Sequence, residues 1–133
     1  MTNKTNQLNI KIYYEDTDAG GIVYHSKYLN FAERARTEFL NDFNYTHNFL
    51  LRNYQIRFVV KRLKIDYVSY AILDETLSLE TSLIKITKAR LTFNQLINNN
   101  ERKVAILLAE VCCIGTDGKV ARIPNDIYYK LIE

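Results

Sequence analysis

Leu8, Ile10, Ile12 and Tyr14 alternate with Asn9, Lys11, Tyr13 and Glu15. A period of two predicts a strand with one covered face. The pattern changes after an Asp16–Gly21 turn. Between Ser26 and Phe43, the residues Tyr28, Leu29, Phe31, Ala32, Ala35, Phe39, Leu40 and Phe43 share one half of a helical wheel. Asn30, Glu33, Arg34, Thr37, Glu38 and Asn41 take the other half. An apolar face that wide predicts a long helix lying in the concave side of a curved sheet.

A weaker helical segment, Thr46 to Asn53, follows. Ile56 to Ser69 reads as a strand in two phases, first Ile56, Phe58 and Val60, then Leu63, Ile65 and Tyr67. The slip at Lys61-Arg62 predicts a bulge. Thr76 to Thr87 and Arg90 to Ile97 are further strands, and Asn98-Asn99-Asn100 is a hairpin turn. Lys103 to Gly115 is apolar in both phases, which predicts a central strand covered on both faces. Thr116-Asp117-Gly118 is a turn, and Pro124-Asn125-Asp126 opens a short terminal helix. The order is strand, long helix, then four or five antiparallel strands, an α+β layer architecture forming one domain over residues 1–133. Its wide sheet surface and open edge predict dimerisation.

Composition narrows the partners. The chain has 133 residues, 47% of them apolar, enough for a real core. Its net charge of +3 is too balanced and dispersed for a nucleic-acid surface. Cys112 and Cys113 are adjacent and point to opposite faces of a strand, so they read as buried free thiols of a reducing compartment. Met1 to Asn9 has no apolar signal core, and the longest apolar run, Val104 to Ala109, is too short for a bilayer. A cytoplasmic protein with no stable membrane insertion is expected.

The chemistry concentrates between Tyr14 and His25. Asp18 reads locally either as an Asx-turn aspartate or as a carboxylate that attacks a carbonyl or deprotonates water. Asp16 competes with it for both roles. Gly20 and Gly21 allow close approach of a substrate to the backbone. A helix opening near His25 would offer free N–H groups and a positive dipole end to a thioester oxygen. His47 reads as structural, and two distant histidines without spaced cysteines predict no zinc site. Arg36 falls inside the apolar half of the helix, where its stem should pack and its head pair with an acid, Glu33 or one from a partner. Lys61, Arg62, Lys88, Arg90 and Arg122 are candidates for a basic rim that receives phosphates.

Tyr13-Tyr14-Glu15-Asp16-Thr17-Asp18-Ala19-Gly20-Gly21-Ile22-Val23-Tyr24-His25, with Tyr28-Leu29 and Phe31 to Glu38, closely resembles the Tol–Pal-associated, YbgC-like acyl-CoA thioesterases. These belong to the 4-hydroxybenzoyl-CoA thioesterase branch of the hotdog superfamily. The resemblance continues through Phe58-Val59-Val60, Ile65-Asp66-Tyr67, Leu73-Asp74, Phe93-Asn94-Gln95 and Ile123-Pro124. It implies a hotdog fold, with a central helix wrapped by a sheet of five or so strands that pairs into a dimer, often a dimer of dimers. It also implies acyl-CoA hydrolysis without metal or redox cofactor, with acyl carrier protein as a further candidate partner. The catalytic aspartate of the family falls on Asp18 and its motif histidine on His25. Gly20, Gly21, Val23 and Tyr24 would border the substrate, joined by Val59, Val60 and Lys61 of the partner subunit. Tyr70-Ala71 and Leu73-Asp74-Glu75 stand where the family usually has proline-alanine and Leu-Asp-Asp, and no lysine-proline occurs around Gly118 to Ala121. Two rival functions fit the same residues: a hotdog hydratase or dehydratase, and a non-catalytic acyl-CoA or acyl-carrier-protein binding module.

Overall fold

The computed structural model describes residues 4–100 and 102–133, so the first three residues of the polar N-terminal stretch lie outside the described residues. Strand β1 (Thr5–Lys11) leads through a 3-10 turn (Tyr14–Asp16) and a loop to helix α1 (Lys27–Asn41) and helix α2 (His47–Tyr54). Strands β2 (Ile56–Tyr67), β3 (Thr76–Ile86), β4 (Arg90–Asn99) and β5 (Arg102–Gly115) follow, then helix α3 (Asn125–Ile132). All neighbouring strands are antiparallel, in the order β1-β3-β4-β5-β2. The α+β layer predicted from the hydrophobic pattern is the one observed.

The first strand is shorter than its alternation implies. It stops at Lys11, and Tyr14 stands 82% exposed instead of facing the core. The Ile12 N–H still follows the ladder, reaching the Glu75 carbonyl at 2.8 Å, but the Tyr13 N–H turns to Asp16 Oδ2 at 2.9 Å and ends the pairing. The chain therefore turns where the sequence alone continues the strand.

Helix α1 buries Tyr28, Phe31, Ala32, Ala35, Arg36, Phe39 and Leu40 against the sheet. Its apolar face serves two separate clusters. Tyr28 and Phe31 pack with Leu77, Leu79, Ile97 and Leu107, whereas Phe39 and Leu40 pack with Leu50, Phe93, Ile123 and Ile127. Burying such side chains contributes about 1.5–3 kcal/mol each. The second cluster is closed by α2, which Gln55 ends in a left-handed conformation, and by α3, which Pro124 opens.

The predicted bulge in β2 is present, with the register shifting between Val60 and Arg62. A second shift, between Leu83 and Lys85 in β3, was not signalled by the sequence. Strand β5 is interior but not central, since β4 holds the middle of the sheet. It is buried in both phases only near its ends, and Leu108 is exposed in between. The second apolar face of β5 is therefore not covered along its length by the described residues.

Candidate active site

Asp16 and Asp18, indistinguishable by type and spacing, have different environments. Asp16 is 6% exposed, accepts the Tyr13 N–H, and lies 3.8 Å from Lys27 Nζ. Its backbone carbonyl accepts the Tyr24 N–H at 2.9 Å, tying the two ends of the loop together. Asp18 is exposed, and its Oδ1 accepts only the Gly20 N–H, at 2.8 Å. Its Oδ2 carries no hydrogen bond among the described residues.

The loop is held by its backbone. Thr17 and Val23 form an isolated antiparallel bridge, the Asp18 N–H reaches the Ile22 carbonyl, and the Gly21 N–H reaches the Asp18 carbonyl at 3.0 Å. Gly21 has φ +80°, a conformation that side chains with a Cβ rarely adopt. A Cβ on Gly20 would stand 3.2 Å from Asp18 Oδ1. The first glycine therefore makes room for the carboxylate and the second allows the turn.

A second strap braces this loop from behind. The Val23 N–H donates to the Ala71 carbonyl at 2.9 Å, and Ile22 bridges Ile72. The Ala71 N–H in turn donates to the Tyr28 hydroxyl at 3.0 Å, inside the core. Glu75 accepts from the Ile72 N–H at 2.7 Å, from Arg102 and from Asn99. The departure from the family pattern at Glu75 thus falls on the residue that ties this strap to β4 and β5. Burial pushes the Tyr28 hydroxyl above its ordinary pKa.

His25 is exposed just before α1, its ring 4.5 Å from that of Tyr24 and edge-on to Tyr67. Tyr67 Oη donates to the His25 carbonyl at 3.1 Å. The His25 N–H has no hydrogen bond among the described residues. Ser26, at the start of α1, makes no side-chain cap, and the first turn holds no acidic residue. An open helix N-terminus of this kind presents donors and a positive dipole end to an oxygen.

The remaining site candidates divide. Tyr24 is exposed at the loop, whereas Val23 is 3% exposed with its side chain in the core, leaving only its backbone facing the loop. Val59 and Val60 lie on β2 beside a cavity of about 300 Å³ that also meets Arg36, Thr37 and His47. Lys61 is exposed at the bulge. That cavity does not reach Asp18, so a single chain brings together the two halves of the expected site only separately. Arg62 and Arg90 both turn to Glu110, at 3.7 and 3.2 Å, which occupies part of the expected basic rim.

Arg36 departs from its expectation. It is buried, but its Nη1 donates to Gln95 Oε1 at 2.9 Å, and it forms no ion pair among the described residues. Burial lowers its pKa, and the charge of Glu33 partly opposes that. His47, read as structural, is exposed and within 3.2 Å of Thr37 Oγ1 at the cavity. The polar set Glu33, Arg36, Thr37 and His47 escaped the sequence reading as a group, because two separate helices supply it. An i, i+3, i+4 spacing of Glu33, Arg36 and Thr37 was its one visible signal. Among the described residues no cluster of three or more His, Cys, Asp or Glu side chains is placed to hold a metal ion.

Comparison with known proteins gives a consistent answer. The thioesterase-like superfamily matches residues 13–131. The acyl-CoA thioesterase YbgC of Haemophilus influenzae is 45% identical over 105 residues, covering 79% of this chain and 77% of its own. The acyl-CoA thioester hydrolase YbgC of Escherichia coli O157:H7 is 38% identical over 108 residues, covering 81% of this chain and 79% of its own. A probable thioesterase from Bartonella henselae superposes with a TM-score of 0.87 at 31% identity, covering 91% of this chain and all (100%) of that one. With the sheet order, the helix on its face and a match from the Tyr13 motif into α3, the chain belongs to the thioesterase-like superfamily and has its hotdog fold.

Proposed function

We propose that the chain is an acyl-CoA thioesterase, hydrolysing acyl-CoA thioesters to free acid and CoA, as the names of its relatives say of them. The observation that carries the reading is the division of labour between two aspartates. Asp16 is consumed in capping, while Asp18 is exposed with one oxygen aimed by Gly20 and the other unoccupied. The substrate carbonyl lies at the open start of α1, where the His25 N–H stabilises the oxygen as it becomes negative. Asp18 then attacks the carbonyl carbon and expels the CoA thiolate, leaving an acyl anhydride that water hydrolyses to the free acid, or it takes a proton from the water that attacks the carbonyl directly. His25 positions water and assists the leaving thiolate. This reaction uses no metal and no redox cofactor.

The reading places the site between two subunits of a homodimer, with Val59, Val60 and Lys61 of the partner subunit completing it. Support comes from the cavity beside Val59 and Val60 lying apart from Asp18 within one chain, and from the open edge of β2. A dimer of dimers, a role beside a Tol–Pal system and acyl carrier protein as a partner rest on the motif resemblance alone, and a cytoplasmic location rests on reading Cys112 and Cys113 as reduced thiols. No described helix is long and apolar enough to cross a membrane.

Release of free thiol from acyl-CoA substrates of graded chain length tests the activity. Tight binding without thiol release would favour a binding module, and water addition to an enoyl-CoA would favour a hydratase. Oxygen-18 appearing in the Asp18 carboxylate during a single turnover would identify it as nucleophile.

A further inference from the structure

Arg36 carries a charge that the described residues bury and do not neutralise. The residue is 7% exposed in the middle of the inner face of α1. Among the described residues its one hydrogen bond is to the side-chain oxygen of Gln95, itself fully buried. The Gln95 amide is locked by donating to the Ala32 carbonyl at 2.9 Å and to Thr81 Oγ1 at 3.0 Å. Its oxygen must therefore face the guanidinium, which fixes one edge of that group and leaves its other donors unused.

Arg36 also borders two cavities, of about 300 and about 320 Å³, which share Glu33, Arg36 and Val60. Leu40, Phe58, Phe93 and Val111 give the first an apolar wall suited to methylene groups. Glu33 is exposed at the rim and forms no ion pair with Arg36. An unpaired buried charge is costly, and a guanidinium presents a planar fork of donors that matches a carboxylate in two parallel hydrogen bonds.

We propose that Arg36, lying in the Val59–Val60 half of the two-subunit site, is the group that selects the acyl portion of the substrate, receiving a carboxylate carried on it, so that anionic acyl-CoA thioesters are preferred to neutral ones of equal length. The proposal rests on the thioesterase reading above. Gln95 acts through Arg36 and is a positioning residue.

The measurement is kcat/KM for matched pairs: succinyl- against butyryl-CoA, glutaryl- against valeryl-CoA, and adipoyl- against hexanoyl-CoA. Wild-type protein should favour the anionic member of at least one pair by tenfold or more. Arg36→Met should lower that ratio at least tenfold, and Arg36→Lys should restore part of it. Thermal melts of each variant establish that it is folded. A wild-type preference for the neutral member of every pair would overturn the proposal. So would a ratio that Arg36→Met leaves within twofold. Loss of the dimer at an unchanged ratio would assign Arg36 to an ion pair between subunits and overturn it as well. If no acyl-CoA is hydrolysed by the wild type, the thioesterase reading fails. Calorimetric binding of the same CoA pairs to wild type and Arg36→Met then still decides the role of Arg36.

Discussion

The Gly20 amide lies 2.8 Å from Asp18 Oδ1, and a Cβ on Gly20 would stand 3.2 Å from the same oxygen. The glycine thus orients the carboxylate through its N–H while leaving space for it, and the Asx-turn geometry that first competes with a catalytic role is what aims the group. On the proposed reading, turn and site are one arrangement. The neighbouring Asp16 shows the alternative, a carboxylate drawn inward by the Tyr13 N–H and Lys27.

The two aspartates should respond in opposite ways. Asp18→Asn is expected to lower kcat by roughly a thousandfold, with little change in melting temperature. Asp16→Asn weakens a charge-assisted bond in a buried turn and should cost about 1.5–3 kcal/mol of stability. Its kcat should fall far less than that of Asp18→Asn. Thermal melts and single-turnover rates on both variants check this, and wild-type turnover in Asp18→Asn would remove Asp18 from the mechanism.

The two glycines should separate similarly. Gly21→Ala meets open space but must hold φ near +80°, so about 1–2 kcal/mol of backbone strain appears as lost stability. Gly20→Ala keeps an ordinary backbone but crowds Asp18 Oδ1. It should lower kcat more than it lowers the melting temperature. Equal loss of stability in both variants would contradict this account.

How far the sequence exposes such details depends on where the controlling partner lies. The bulge at Lys61 was legible because a phase slip is written in adjacent residues. The early end of β1 was not, because the group that stops it, the Asp16 carboxylate, competes with a pattern that simply continues to Tyr14. Asp18 and His25 were legible as a motif, but only the buried state of Asp16 separates the two acids physically. The partner of Arg36 was misread as an acid because Gln95, an amide 59 residues away, looks like an ordinary polar position in an alternating strand.

Alkaline pH should destabilise the fold through buried groups. Burial raises the Cys113 thiol from 9.0 to about 11 and raises the Tyr28 hydroxyl from its ordinary value. Both are neutral in the folded state at pH values where the unfolded chain has begun to ionise. Their stabilisation is therefore complete below pH 9 and is lost as pH rises through the folded values. For Cys113 the loss between pH 9.0 and about 11 is on the order of 2 kcal/mol. Chemical denaturation across this range should show the decline, and Cys113→Ala should flatten it relative to the wild type at pH 8. A stability curve that Cys113→Ala leaves unchanged in slope would place the alkaline loss elsewhere.

Arg36 and Gln95 should be energetically coupled, because the amide oxygen is the one hydrogen-bond partner of a buried cation among the described residues. Gln95→Leu leaves the guanidinium without that partner and strips a donor pair from Ala32 and Thr81, so it should destabilise the protein by about 2–4 kcal/mol. Arg36→Met removes the charge but leaves the Gln95 oxygen unmatched, at about 1–3 kcal/mol. In the double variant neither charge nor its acceptor remains, and only the Ala32 carbonyl and the Thr81 hydroxyl are left without their donor. Its loss should fall short of the sum of the single losses by about 1–2 kcal/mol, the non-additivity expected of groups in direct contact. Urea denaturation of all four proteins measures the cycle. Strict additivity would mean that the two side chains stabilise the fold independently, with Gln95 serving Ala32 and Thr81 alone.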